Sequence, residues 1–167
     1  FIARAYLDLA TKLQEGRERF DRVILDKKIE SRERYMKCLP KLCHQLESAA
    51  TNCATAYKNY LAHGGKNHET KSYHEFQKVH GAIQKIYPKF FFKQKVIEEM
   101  IVVAGNVHEK FQTSWRHIQE LERLRTSAER RTTIDAEQAR LRTLEQFVRM
   151  SRDEFFKAFT ALKGAAD

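Results

Sequence analysis

Two prolines and six glycines are all that punctuate these 167 residues. So few turn formers exclude a β-rich chain with frequent tight turns, and exclude Pro/Gly-rich disorder as well. Long apolar runs are also missing. The longest, Met100–Ala104, falls far short of the roughly 20 residues a membrane span requires. The three cysteines, Cys38, Cys43 and Cys53, are odd in number and sit within one helical pattern. They read as small hydrophobes in a reducing compartment, not as a disulfide framework. No Asn-x-Ser/Thr sequon and no signal peptide is present. The expectation is a cytoplasmic location with peripheral membrane association, in a fragment of a longer protein, since the chain opens at Phe1.

Catalytic signatures are absent too. There is no G-x-S-x-G, phosphate-binding glycine loop, H-E-x-x-H or C-x-x-C. Glu98 and Glu99 are adjacent, but helical neighbours point about 100° apart. His63, His68, His74 and His80 crowd one region, yet no pair has the i,i+4 spacing that sets two imidazoles on one helix face. The reading is therefore not an enzyme, with no catalytic residue, no cofactor and no metal site.

What the chain does have is charge, 32% of it, with apolar residues at steps of three and four. That spacing predicts an all-α fold of long amphipathic helices. Tyr6, Leu9, Leu13, Phe20 and Ile24 begin one stripe, which resumes at Tyr35 and runs to Tyr60. The predicted helices cover about 2–63, 69–87, 89–131 and 134–163, with Thr132 or Thr133 capping the last. Pro40 should kink the first. The stretch "DKKIESRER" (26–34), where only Ile29 is apolar, interrupts that stripe and is taken as solvated or paired through charges. "HGGKNH" (63–68) is the clearest breaker, with residues 64–68 as the tip of an antiparallel hairpin. Folding there sets Pro40 near the level of Pro88. The whole is expected to be one elongated antiparallel bundle over 1–167, with a three-helix end and a Pro-kinked two-helix arm.

Net charge is +9, unevenly spread. Residues 58–95 hold eight lysines against Glu69 and Glu75, which points to an anionic partner. If the helix runs on through Pro88, then Lys78, Lys85, Lys89 and Lys93 all lie within about 40° of Lys71. On the same assumption Phe90 is core, Phe91 marginal, and Phe92 falls outside the buried stripe beside the lysines. Lys66, Lys71, Lys78, Lys85, Lys89, Lys93, Lys95 and Phe92 are thus the candidate anion- or lipid-binding residues, with Phe92 as an aromatic wedge between headgroups. "MIVVAGNV" (100–107) is apolar on adjacent faces, which makes Met100, Val103 and Val107 a candidate dimer interface. Trp115, Phe111 and Ile118 follow core spacing.

Two helices with prolines at 40 and 88, a glycine tip at 63–68 and the lysines of 66–95 resemble the BAR family of membrane-curving dimers. The resemblance implies a homodimeric scaffold that lays a basic arm on anionic membrane lipids. "AYLDLATKLQEGRERF" (5–20) separately resembles a helix near the end of the V-shaped domain of Bro1-type adaptors. The alternative is a coiled-coil adaptor that binds an acidic protein surface or a cytoskeletal filament. Nucleic acid ranks lower, because the arginines lie mostly outside the basic segment.

Overall fold

The computed structural model describes residues 1–65, 68–123 and 128–166. These form α1 (Ile2–Gln14), α2 (Phe20–Val23), α3 (Arg32–Ala62), α4 (Lys71–Gln84), α5 (Gln94–Arg123), α6 (Ala128–Val148) and α7 (Arg152–Ala166). Single 3-10 turns occupy Asp26–Lys28 and Tyr87–Phe90. Among the described residues there is no strand, and the all-α bundle stands. Residue contacts divide the chain into two compact units, Phe1–Ile97 and Glu98–Asp167, where the sequence suggested one.

The first unit is built on the α3–α4 hairpin. Beyond α3, Gly64 and Gly65 take φ of 100° and 57°, values that glycine reaches without a Cβ clash. Thr70 caps α4 by accepting the Tyr73 amide at 3.2 Å. Tyr57 then meets Phe76 at 5.2 Å and Tyr60 meets Tyr73 at 5.3 Å between ring centres. That is within one residue of the register expected from a fold at 64–68. Cys53 and Ala56 complete this cluster.

The expected first helix over 2–63 is corrected. α1 stops at Gln14, where Gly16 turns with φ 70° and Arg17 donates its amide to the Lys12 carbonyl at 2.8 Å. The chain then doubles back through 15–31, and α3 starts afresh. Tyr6 of α1 packs on Phe90, whose carbonyl accepts the Tyr35 hydroxyl at 2.6 Å, while Gln14 reaches the Cys43 Sγ at 3.8 Å. Both contacts advance in the same direction, so α1 lies parallel to α3. Phe20, Val23 and Ile24 on the return stretch are buried, while residues 26–34 remain at the surface, with Asp26 paired to Lys93.

Pro40 sits inside α3 as expected, and the helix breaks around Pro88 as the bounds 69–87 and 89–131 imply, so the unbroken helix assumed for the lysine face does not form. α4 ends at Gln84, and the backbone reaches α5 through the 3-10 turn and an extended segment. Leu39 and Lys89, next to the two prolines in sequence, border one cleft, which is the neighbourhood the hairpin implied. Gly81 in α4 is unforced, because a Cβ there would meet nothing within 4 Å. Gly81→Ala should therefore raise stability by about 1 kcal/mol through helix propensity alone. A chemical-denaturation midpoint checks this, and a lowered midpoint would reveal a constraint at Gly81.

In the second unit α5 and α7 run antiparallel. Phe111 meets Phe155 at 5.3 Å, and His108 meets Phe159 at 4.5 Å between ring centres. The single last helix over 134–163 is also corrected. α6 ends at Val148, Arg149 after it takes φ 57°, and a capping box opens α7. In that box the Ser151 amide donates to Glu154 Oε2 at 3.0 Å and the Glu154 amide to Ser151 Oγ at 3.3 Å. Thr133 caps nothing; it lies inside α6 and donates to the Glu129 carbonyl. Of the core-spaced trio, Phe111 and Ile118 are buried. Trp115 is half-buried, its indole face covered by the Arg152 guanidinium at 3.6 Å.

Candidate functional site

Phe90, Phe91 and Phe92 do not follow helical phase. Past Phe91 the backbone pairs with Val23–Leu25: Leu25 donates to the Phe91 carbonyl at 2.9 Å and Lys93 to the Val23 carbonyl at 2.8 Å, closing an isolated Ile24–Phe92 bridge. Phe90 ends the 3-10 turn, Phe91 reverses the backbone, and Phe92 sits on the bridge. Phe90 and Phe92 are both buried, with rings 5.3 Å apart and Tyr6 within 5.4 Å and 4.9 Å of them. The Phe92 wedge is corrected, for its ring is 5% exposed and unable to reach a headgroup layer. Phe91 points the other way in the left-handed region, φ 52°. Its ring carries the ammonium groups of Lys28 at 4.1 Å and Lys27 at 5.0 Å, an arrangement favoured by the ring quadrupole.

The same break divides the lysine stripe. Lys71, Lys78 and Lys85 remain on α4 and its C-cap, exposed, while Phe76 and Ile83 are buried. Lys89 is exposed on the 3-10 turn and Lys95 on the first turn of α5. Lys93 leaves the group: it is 30% exposed and its ammonium pairs with Asp26 at 2.7 Å. Lys66 lies outside the described residues. Five expected cations thus stay at the surface, three of them in one row.

Two basic residues join Lys89 that sequence spacing did not select. The return of the chain over 15–31 brings Lys28 and Arg34 to the cleft that Lys89 borders. Both belong to "DKKIESRER" (26–34), and the basic content of that stretch was the available signal.

Of the proposed dimer residues, Val107 is buried within the chain at 6% exposure, Met100 is half-buried and Val103 is 42% exposed. Val107 offers no surface to a partner, which corrects its assignment. Val102, on the same helix, is 64% exposed.

The histidines are mostly packed on aromatics. His68 stacks on Tyr73 at 4.3 Å, and His80 lies 5.7 Å from Phe76. Burial, reinforced by Lys163, holds His108 below the usual imidazole range. Among the described residues no three His, Cys, Asp or Glu side chains are grouped to hold a metal ion. The cysteines are free thiols: Cys38 exposed, Cys43 partly covered, Cys53 buried. Burial and then Glu47 push the Cys43 thiol up. Among the described residues no helix is long and apolar enough to cross a membrane.

Among the described residues Glu137 in α6 is the buried carboxylate, 5% exposed. His117 Nδ1 lies 3.2 Å and Arg140 Nη1 2.7 Å from its Oε1. Burial disfavours its charge, but hydrogen bonds from Ser114 and His117 and the charge of Arg140 outweigh that and hold its pKa below the ordinary value. A depressed carboxylate contributes stability that is present above its unfolded pKa and lost as pH falls through the folded one. The wild-type chain should thus lose stability below about pH 4.3 more steeply than Glu137→Gln. Paired acid-denaturation curves measure the difference, and parallel curves would refute the assignment.

No protein-family model matches the chain, and no curated protein and no solved structure matches it either.

Proposed function

We propose that the chain is a non-enzymatic binding module whose α4 row of lysines rests on an anionic membrane surface. The carrying observation is the two-sided character of α4: Phe76 and Ile83 are buried, and Lys71, Lys78 and Lys85 are exposed. Lysines near an anionic leaflet act as a summed charge, about 1 kcal/mol each. With Phe92 in the core, attachment on this reading is electrostatic, without an aromatic wedge. A cytoplasmic, peripheral location accords with it. So does BAR-like self-association, for which Val102 and Val103 supply exposed apolar surface on α5.

Vesicle co-sedimentation tests this reading. The chain should pellet with phosphatidylserine-containing vesicles, remain in solution with phosphatidylcholine alone, and be released by salt. Failure to pellet with anionic vesicles at low salt would overturn it and leave an acidic protein surface as the binding partner of the lysine row.

A further inference from the structure

Lys28, Arg34 and Lys89 border a cleft of about 200 Å³ in the first unit. They arrive from three places: the end of the 3-10 turn Asp26–Lys28, the first turn of α3, and the turn Tyr87–Phe90. Among the described residues none of the three pairs with a carboxylate, and the cleft lining contains no acidic side chain. Of the acids close in sequence, Asp26 is engaged by Lys93, and Glu30 and Glu33 are exposed and do not line the cleft. Between the cations the wall is apolar, made by Leu39, Leu42 and Phe91. Leu39 and Tyr35 are buried beneath it.

Three cations bordering one cleft whose lining has no acid suit an anionic head, and charge-assisted hydrogen bonds to phosphate are the strong kind. The apolar wall suits a hydrocarbon stem. The volume is below the roughly 300–1,000 Å³ of pockets that enclose whole drug-sized ligands. Space therefore exists for a head and the first few methylenes, with the remaining chain outside.

We infer that this cleft binds a single-chain anionic amphiphile, its phosphate between Lys28, Arg34 and Lys89 and its stem along Leu39, Leu42 and Phe91. The site is distinct from the α4 row and does not require that row to touch a membrane.

The test uses short-chain lysophosphatidic acid below its micellar concentration, with lysophosphatidylcholine of equal chain and glycerol phosphate as comparisons. Amide chemical shifts of Lys28, Cys38 and Leu42 report binding. Lysophosphatidic acid should bind saturably and at least about tenfold more tightly than either comparison, since each lacks one of the two recognised features. Joint Lys28→Gln and Lys89→Gln should remove that preference, whereas Lys71→Gln with Lys78→Gln should leave it unchanged. Arg34→Gln, at an exposed position on α3, should weaken binding too and serves if the double variant folds poorly. Equal affinity for the zwitterionic amphiphile, or unchanged affinity in the cleft variants, would overturn the inference. Vesicles identify the source. Preference for lysophosphatidic acid over phosphatidylserine at equal surface charge marks a bilayer lipid, and no such preference beside intact soluble binding marks a free amphiphile. Failure of the cleft variants to alter soluble binding leaves the α4 reading untouched, and loss of vesicle binding in the α4 variants leaves the cleft untouched.

Discussion

Phe92→Ser should unfold the first unit about as readily as Phe90→Ser, each losing roughly 3–5 kcal/mol. Phe90 is fully buried and Phe92 is 5% exposed. Both rings contact Tyr6 and one another, so either loss opens a cavity that the fixed backbone cannot close. Against a total stability of about 5–15 kcal/mol, such a loss leaves a marginal fold. The residue between them should behave differently. Phe91→Gly removes the Lys28 contact, worth about 0.5–1 kcal/mol at a partly exposed site. It also relieves the left-handed backbone at φ 52°, which costs a non-glycine residue roughly 1–2 kcal/mol. The two effects offset, and the net change should stay within about 1 kcal/mol. Thermal melts of the three variants decide the matter. A Phe92→Ser chain that melts with the wild type would mean that its ring is not in the core.

Those three residues also show where the sequence stopped being legible. The hairpin could be read because its signals are local: two glycines at 64–65 and a helical stripe on each side set the register to within a residue. The phase of 90–92 could not, because carrying a 3.6-residue period through Pro88 assumes an unbroken helix. The structure leaves the helix there, with Phe91 left-handed and Phe92 bridged to Ile24, and no local feature of "PKFFFKQ" announces that partner. The return over 15–31 was hidden for a similar reason. Gly16 is a weak breaker, and Phe20 and Ile24 fall on the helical stripe even though Ile24 is extended. The stop before α7 was legible and missed, since Ser151 and Glu154 have capping-box spacing. The cationic cleft was not legible, because Lys28 and Arg34 meet Lys89 only after the chain doubles back. Val107 failed for a different reason. An apolar run wider than one stripe does not reveal which of its residues the chain itself covers.

Joint Lys71→Gln, Lys78→Gln and Lys85→Gln should lower partition onto phosphatidylserine vesicles roughly a hundredfold. Three lysines at about 1 kcal/mol each give about 3 kcal/mol, and 1.4 kcal/mol is tenfold. The fold should survive, because all three side chains are exposed and glutamine is nearly as good a helix former as lysine. Salt provides an internal check. Screening acts over about 8 Å at physiological ionic strength, so wild-type binding should fall steeply with added salt while residual binding of the triple variant should barely change. Lys93→Gln is the contrasting arm. The unbroken-helix reading set Lys93 on the same face, but its ammonium is held by Asp26 at 2.7 Å. Its loss should leave partition near the wild-type value. Should Lys93→Gln weaken vesicle binding as much as Lys78→Gln does, the α4 row is not the contact surface. A triple variant that still partitions like the wild type would remove the membrane role of α4 altogether.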